Sequence, residues 1–267
     1  MVLKLGDRSW ELEYQNVEFI LTPIYKLLTS IIKYTMTLFY APDIAVSPEL
    51  PEEESAHAVR VLRLNEEDEL FITDGKGTIC KAVVSRAHPK HCEVRILETH
   101  EQPPLWQAYL HIAVSPAKSI DRMEWFVEKA VEIGTDAVTF LQCRFSERKD
   151  IKISRMEKVA VSAMKQSLKA RLPKLSGMTD FRTFIAQPFD GRKFIAHCGE
   201  GERKLLKHAY QPNQPALILI GPEGDFSPEE VAFALQNGYE PVSLGNSRLR
   251  TETAALAACH TIQLLNQ

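Results

Sequence analysis

The sequence predicts an α/β protein in which a parallel sheet carries helices on both faces and a small β-rich domain comes first. Three features of the 267-residue chain predict this. Apolar strand candidates alternate with capped helices after about residue 105. Short strands separated by turn signals occupy residues 36 to about 101. Near the C-terminus, two glycine-bearing loops each directly follow an apolar strand candidate.

Residues 1–35 share no pattern with the rest of the chain, and we treat them as an extension. They are either an over-long start assignment or an amphipathic surface helix. Residues 36–104 are predicted to form a small β-barrel domain, because turn signals such as Asp74-Gly75-Lys76-Gly77 separate short strand candidates. These candidates are residues 37–40, 69–73, 78–85 and 92–97.

One helical segment, residues 52–64, interrupts the predicted barrel. Its His57, Arg60 and Arg63 recur at helical spacing and are expected to share one face. A solvated surface is the simpler interpretation for His57, and less so for the two arginines.

Residues 105–267 are predicted to form a second domain, because Gln102-Pro103-Pro104 breaks the chain before a buried-strand run. Strands and helices then alternate, which implies a parallel sheet covered on both faces. Gly134 is expected to end the first helix. The segments in order are a strand at 109–114, a helix capped at 121–124, a strand at 136–143, a helix capped at 154–157 and a strand at 194–198.

Two strand-loop-helix units complete the domain between residues 216 and 265. The first loop is Gly221-Pro222-Glu223-Gly224-Asp225, followed by Ser227-Pro228-Glu229-Glu230, which has the pattern of a capping box. The second loop, residues 244–248, leads into a helix that is expected to follow a Thr or Ser cap. Ligands of open α/β sheets bind at the carboxyl ends of strands, so both loops are expected to build one ligand site. The alternative is that their glycines only make tight turns.

The charge of the chain excludes a general attraction to nucleic acid or anionic lipid, since the net charge is −3 and the pI is near 6.3. A local patch is present instead. Residues 144–174 carry ten Lys or Arg against three acids. Acidic residues are concentrated elsewhere, at 49–54 and 66–69.

Five widely spaced cysteines without a C-x-x-C pair predict reduced thiols in a cytoplasmic protein. The run from His88 to Cys92 is more typical of a loop than of a metal site, so we expect no metal. No run of about eighteen apolar residues predicts a membrane span, and acidic residues near the N-terminus argue against a signal peptide. The dinucleotide fingerprint, the Walker A sequence, the G-x-S-x-G elbow and the H-E-x-x-H pair are absent, which disfavours Rossmann, kinase and hydrolase functions.

Residues 217–224, Leu244-Gly245 and residues 249–255 together resemble the SPOUT methyltransferases. Within them the chain resembles the RsmE family, which methylates N3 of a uridine in 16S ribosomal RNA. The likeness runs from about 36 to 267; residues 57–63 match the PUA-like RNA-binding barrel, and Lys165-Gln166-Ser167 with Pro173 match a catalytic-domain segment. Two residues depart from the family pattern: Asp225 replaces a common glycine, and Lys169 lies near a frequent arginine.

The resemblance implies a trefoil-knotted SPOUT domain in which three loops hold S-adenosylmethionine, and a homodimer with the site at the subunit interface. It places those loops around 197–201, 221–225 and 244–254. The residues expected to bind the cofactor are His197, Gly199, Ile220, Gly221, Pro222, Gly224, Leu244, Gly245, Leu249, Arg250, Thr251, Thr253 and Ala254.

The resemblance also implies methylation of uridine N3, which must lose a proton, so a base or an anion-stabilising cation is needed beside the pyrimidine. Arg250 is the first candidate for the cation. Glu223 or Glu252 is expected to accept the proton or to hold Arg250; the alternative for either is a carboxylate favoured by a helix N-terminus.

The residues expected to contact RNA bind phosphates of 16S ribosomal RNA or the small subunit and so position the protein on it. The residues are His57, Arg60, Arg63, Arg148, Lys165, Gln166 and Arg171. Two other functions remain open: a SPOUT enzyme that methylates another RNA atom, such as a ribose 2′-oxygen, and a non-catalytic RNA-binding factor of ribosome assembly.

Overall fold

A computed structural model describes residues 37–104 and 106–267, and residues 37–267 group into one compact unit containing two sheets. The predicted extension, residues 1–35, lies outside the described residues. Among the helices described, none combines the length and the apolar character that crossing a bilayer requires.

The first sheet contains the four strands predicted for the N-terminal domain, in the order β1-β2-β3-β4. β1 and β2 pair in parallel, whereas β2–β3 and β3–β4 are antiparallel. The inward side chains, among them Phe39, Ile72 and Val84, form a separate core. The strands are β1 (Leu38–Tyr40), β2 (Glu69–Thr73), β3 (Thr78–Arg86) and β4 (Glu93–Glu101).

The helical segment of this domain is shorter than predicted. Helix α1 (Glu52–Ala56) continues as a π-helical turn over His57–Val61, in which the Leu62 amide donates to the His57 carbonyl at 3.0 Å. Arg63 then adopts a left-handed conformation with φ 58°. The expectation that Arg63 shares one helical face with His57 and Arg60 is therefore wrong, because the wider turn ends the helix before it.

The second sheet is parallel throughout and has the strand order β7-β6-β5-β10-β8-β11-β9. Its strands are β5 (Leu110–Val114), β6 (Ala137–Gln142), β7 (Lys174–Asp180), β8 (Arg192–Ala196), β9 (Lys204–Leu205), β10 (Ala216–Ile220) and β11 (Glu240–Ser243).

Helices cover both faces of this sheet, as the sequence predicted. Successive residues of one strand enter different cores: Ile218 of β10 packs in one and Leu219 in the other. Both faces bury apolar side chains, which is why β10 is apolar throughout. Helices α2 (Ile120–Ile133), α3 (Ile153–Gln166), α5 (Leu206–Ala209) and α7 (Thr251–Leu265) contribute to the first core, and α4 (Phe181–Ile185) and α6 (Pro228–Gln236) to the second.

The predicted capping box and the predicted C-terminal glycine are both present, whereas three predicted helix starts are wrong. The capping box of α6 is present, since Ser227 Oγ accepts from the Glu230 amide at 3.2 Å and Glu230 Oε2 accepts from the Ser227 amide at 2.8 Å. Gly134 ends α2 with φ 122°, and a Cβ there would collide with the Trp106 ring. Ser227 as an N-cap and Gly134 as a C-cap each meet a requirement of the local backbone geometry.

Helices α2, α3 and α7 begin at other residues than predicted. Their N-caps are Ser119, Lys152 and Arg250, and none of these side chains makes a cap hydrogen bond. Buried residues such as Met123 of α2 and Met156 of α3 hold these helices on the core instead. Tertiary packing has therefore overridden the local capping signal.

Backbone and side-chain contacts join the first sheet to the segment that follows α3. Thr73 Oγ1 donates to the Ala170 carbonyl at 3.2 Å, and the Leu172 amide donates to the Gly75 carbonyl at 2.8 Å. The Gly77 amide also reaches Ala170 O, at 2.9 Å. The β-rich domain is thus fixed to the parallel-sheet domain through main-chain groups and the Thr73 hydroxyl.

Removing the α6 cap should destabilise the protein measurably. We expect Ser227→Ala to lower the free energy of unfolding by about 1 kcal/mol, because it leaves the buried Glu230 amide without its acceptor. Urea denaturation followed by circular dichroism measures this. Ser154→Ala is the matched control, since Ser154 is exposed in the first turn of α3 and is not its cap. Equal losses in the two variants would contradict the assignment.

Candidate functional site

Three loops leave the carboxyl ends of three neighbouring strands. Ile220 of β10 lies beside Ala196 of β8, and Ala196 lies beside Val242 of β11. We name the segments that follow these strands loop A (197–203, after β8), loop B (221–227, after β10) and loop C (244–250, after β11). The two glycine loops of the sequence are B and C, so both lie at the same edge of the sheet.

Side-chain hydrogen bonds connect the loops to one another. Thr251, the first residue of α7, donates through Oγ1 to the Gly221 carbonyl of loop B at 3.2 Å. The Asp225 carboxylate of loop B accepts from the Cys198 amide of loop A at 2.7 Å. Loop B is therefore tied on one side to the start of α7 and on the other to loop A.

The residues expected to bind a cofactor all lie at the end of β10, in these loops or in the first turn of α7. Gly245 has φ 127°, and a Cβ placed there would meet no atom within 4 Å. Loop C is therefore open at this point, in a backbone conformation suited to glycine. The buried members are Ile220, Gly221, Pro222 and Thr251; His197, Leu244, Leu249 and Ala254 are partly buried; and Gly199, Gly224, Gly245, Arg250 and Thr253 are exposed.

His197 presents an unsatisfied polar atom in loop A. Its ring is half-buried, and its Nδ1 has no hydrogen-bond partner among the described residues. Burial lowers the pKa of His197 and the nearby Arg203 lowers it further, while Asp225 acts in the opposite direction. The imidazole is thus favoured in its neutral form, with one nitrogen available to a polar ligand.

The two candidate carboxylates are in different environments. Glu223 is exposed in loop B, and its Oε1 accepts from the Lys118 amide at 3.0 Å. Glu252 is 7% exposed; its Oε1 lies 3.8 Å from Arg122 Nε, and its Oε2 has no partner among the described residues. Arg250 is exposed, and neither glutamate forms an ion pair with it in the described part of the chain.

The residues expected to contact RNA fall into two groups. Arg60, Arg63 and Gln166 are exposed. The others make contacts within the chain. His57 packs on Phe39 with ring centroids 5.7 Å apart, Lys165 pairs with Glu54 at 2.5 Å, Arg148 donates to the Ala117 and Lys118 carbonyls, and Arg171 donates to Lys76 O at 2.9 Å.

Ion pairs offset much of the positive charge that the sequence concentrates on α3. Lys158 pairs with Glu53 of α1 at 2.6 Å. Arg155 pairs with Glu124 and lies 3.6 Å from Asp121, both on α2. Lys169 is buried and donates to the Glu132 carbonyl. The acidic run at 49–54 therefore partly faces α3, a pairing that charge patterns along the chain do not reveal.

Sequence reasoning missed three contacts at the site. It gave no role to Asp225, to Arg122 beside Glu252, or to the bond between Thr251 and loop B. Only Asp225 carried a signal, because a carboxylate in a glycine-rich turn occupies a place where left-handed backbone is common. Its φ is 65°.

Comparison with known proteins agrees with this architecture. Residues 104–263 match the family model of an RNA methyltransferase domain, and residues 50–97 match that of an RNA methyltransferase PUA domain. A Mycobacterium bovis protein named ribosomal RNA small subunit methyltransferase E is 27% identical over 241 residues, which cover 85% of this chain and 91% of that protein.

Two solved structures show the same fold. A probable rRNA-methyltransferase from Porphyromonas gingivalis is 46% identical, with a TM-score of 0.82, and the match covers 86% of this chain and 98% of that chain. A ribosomal RNA small subunit methyltransferase E from Neisseria gonorrhoeae, solved bound to S-adenosylmethionine, is 25% identical, with a TM-score of 0.75 and the same coverage.

These matches confirm the predicted SPOUT-type α/β class with a PUA-like N-terminal domain. The family model covers more than half of the chain, and the Porphyromonas gingivalis structure is closely similar over nearly its whole length. The chain belongs to the RNA methyltransferase family, in its RsmE group.

Proposed function

We propose that this protein transfers the methyl group of S-adenosylmethionine to N3 of a uridine in 16S ribosomal RNA. The main support is the meeting of loops A, B and C at one edge of the sheet, held by Thr251 and Asp225. A relative with the same fold was crystallised with S-adenosylmethionine, and relatives named for the small ribosomal subunit match most of the chain.

The chain's own residues fit this cofactor. The unpartnered Nδ1 of His197 supplies a polar contact, and the open backbone at Gly245 lets a ligand approach main-chain groups. The apolar end of β10 at Ile220 and the half-buried Leu244 and Leu249 supply surfaces for an adenine ring. We assign Gly199, Gly221, Pro222, Gly224, Thr251, Thr253 and Ala254 to the same site, and Arg250 to the substrate beside it.

When bound, the cofactor supplies a methyl group on a positively charged sulfur. The protein must hold the uracil ring in line with that bond and keep competing water away. The hydrogen bonds that tie loop B to loop A and to α7 fix the positions of the groups around the site. Such fixed positions help to align the uracil ring with the methyl group.

Methylation at N3 also requires that the N3 proton leave the uracil. We assign its acceptance to Glu223, because a base must reach the substrate and Glu223 is exposed with only Oε1 engaged, by the Lys118 amide. Arg250 is exposed at the start of α7, and its guanidinium stabilises the negative charge that develops on the uracil oxygens.

Glu252 fits a positioning role better. Its carboxylate is buried in the first turn of α7 and faces Arg122 of α2 at 3.8 Å. A carboxylate at a helix N-terminus is favoured by the helix dipole. Glu252 thus holds the start of α7, and with it Arg250 and Thr251, against α2.

We propose that residues 36–104 bind RNA and that residues 105–267 carry the catalytic site. Arg60 and Arg63 support this, because both are exposed on the β-rich domain. Cationic side chains of this kind bind phosphates and provide affinity without reading sequence. His57, Arg148, Lys165, Gln166 and Arg171 remain candidates, four of them engaged in contacts within the chain.

We further propose a symmetric homodimer that works in the cytoplasm on the small ribosomal subunit. Phe145, which would lie 3.2 Å from a Cβ at Gly224, is 46% exposed. Exposed apolar side chains beside the loops are suited to a subunit contact at the site. The substrate itself supports the cytoplasmic location.

The proposed reaction is tested by incubating the protein with labelled S-adenosylmethionine and small subunits from cells that lack the activity. Mass spectrometry of the digested RNA should show labelled N3-methyluridine. Label on a ribose 2′-oxygen would mean a different methyl acceptor, and failure to bind the cofactor would favour an assembly factor.

Arg250→Ala should reduce transfer by at least about a hundredfold, as expected for loss of a group that stabilises transition-state charge. Cofactor affinity measured by calorimetry should change little. Arg192→Ala is the matched control, because Arg192 begins β8 at the opposite edge of the sheet, where it pairs with Glu240 at 2.6 Å. Lost cofactor affinity in Arg250→Ala would instead make Arg250 a cofactor-binding residue.

Reversing the charge of Arg60 and Arg63 should weaken capture of the small subunit. We expect the double Arg→Glu variant to bind at least about tenfold more weakly and with a shallower salt dependence, since two phosphate contacts are lost. Filter binding across a salt series measures both. Arg86→Glu is the control on the same domain, where Arg86 pairs with Glu93 at 3.1 Å. Unchanged binding by the double variant would refute the role.

Sedimentation equilibrium should give particles of twice the 30.2 kDa chain mass. Replacing Phe145 with Asp should shift the protein toward monomers, because a charge at an apolar contact loses its hydration. Glu240→Lys on the opposite edge serves as the control. A wild-type protein that sediments only as a monomer would contradict the dimer.

A further inference from the structure

We propose that Asp225 is a positioning residue that holds loop A in place for the cofactor. The inference rests on the proposed function, because it concerns the site in which S-adenosylmethionine would bind. It assigns a task to the residue at which this chain carries a carboxylate in a glycine-rich turn.

Both oxygens of the Asp225 carboxylate are engaged by backbone amides. Oδ2 accepts from the Cys198 amide in loop A at 2.7 Å, and Oδ1 accepts from the adjacent Phe226 amide at 2.8 Å. Hydrogen bonds to an ionised acceptor are stronger than neutral ones. One side chain therefore bridges two loops whose strands, β10 and β8, have already ended.

The backbone at Asp225 indicates that the side chain has a task. Its φ of 65° lies in the left-handed region, which glycine adopts freely and other residues adopt at a cost. The Asp225 amide donates to the Pro222 carbonyl at 2.9 Å and closes a turn that glycine would also close. In this conformation the Asp225 carboxylate reaches the Cys198 amide, so the bridge offsets the cost of the left-handed backbone.

The hydrogen bond between Asp225 and the Cys198 amide also restricts the preceding residue, His197. Cys198 directly follows His197, whose half-buried Nδ1 lacks a partner in the described structure. Fixing the Cys198 amide fixes the peptide plane from which the His197 ring projects. Elsewhere in loop A, the Arg203 guanidinium holds the Gly199 carbonyl. When a loop is already ordered, less conformational entropy is lost on ligand binding. The bridge should therefore increase the affinity for the cofactor.

Two substitutions separate the bridge from the backbone conformation. Asp225→Gly removes both bonds and relieves the left-handed strain, whereas Asp225→Asn keeps a similar shape with a single acceptor oxygen. Asn213→Gly is the matched control: Asn213 has φ 61° and precedes β10, at the other edge of the sheet. Asn213→Gly therefore also replaces a left-handed residue with glycine, but at a place away from loop A.

Hydrogen exchange without cofactor should be faster across residues 197–201 in Asp225→Gly, with Asp225→Asn intermediate and Asn213→Gly unchanged. With small subunits as substrate, KM for S-adenosylmethionine should rise about tenfold in Asp225→Gly, the size expected for loss of the one charge-assisted hydrogen bond that reaches loop A. The value of kcat at saturating cofactor should stay near that of the wild type. A purely structural loss would lower stability without this split between KM and kcat.

Wild-type exchange and an unchanged KM in Asp225→Gly would overturn the proposal. If Asp225→Gly fails to fold, Asp225→Asn provides the same two readouts, and unchanged values there would also overturn it. If the wild-type protein does not bind S-adenosylmethionine, the proposed function fails. The exchange measurement alone then decides whether Asp225 holds loop A.

Discussion

The site depends on the parallel pairing of β10 with β8 and of β8 with β11. This register places Ile220, Ala196 and Val242 side by side. Loops A, B and C therefore begin at the same edge of the sheet. β10 and β8 stay in register because each buries apolar side chains on both faces, with Ile218 and Phe194 in one core and Leu219 and Ile195 in the other. A slip of one residue would exchange the two sets of side chains and move the start of the loop.

The sequence predicted the strands and the loops more reliably than the helix starts. An unbroken apolar run such as β10 signals a strand buried on both faces wherever it pairs. A capping box is also local, and that of Ser227 and Glu230 formed as predicted. Helices α2, α3 and α7 lack a side-chain cap, so packing sets where they begin and local signals misplace them.

Contacts between distant segments were the least predictable part. The order β10-β8-β11 differs from the chain order, so residue patterns alone place loops B and C at strand ends but do not make β8 their common neighbour. Charges show the same limit. The sequence gives α3 a strong positive charge, and only the fold brings Glu53 and Glu54 against Lys158 and Lys165. Lys158 and Lys165 therefore pair across the contact between the domains, whereas Arg60 and Arg63 are exposed.

Beyond the last paired residue of each strand, the sheet no longer connects its loops. On these three strands the main-chain pairing ends at Ile220, Ala196 and Ser243, yet a ligand site beyond them requires fixed positions. Side chains must then replace the ladder. Thr251 does so by reaching the Gly221 carbonyl, and Asp225 by reaching the Cys198 amide. Because each bond joins a side chain to a backbone group of another loop, the carbonyl of one loop and the amide of the next are held in place while the remaining backbone groups stay available to a ligand.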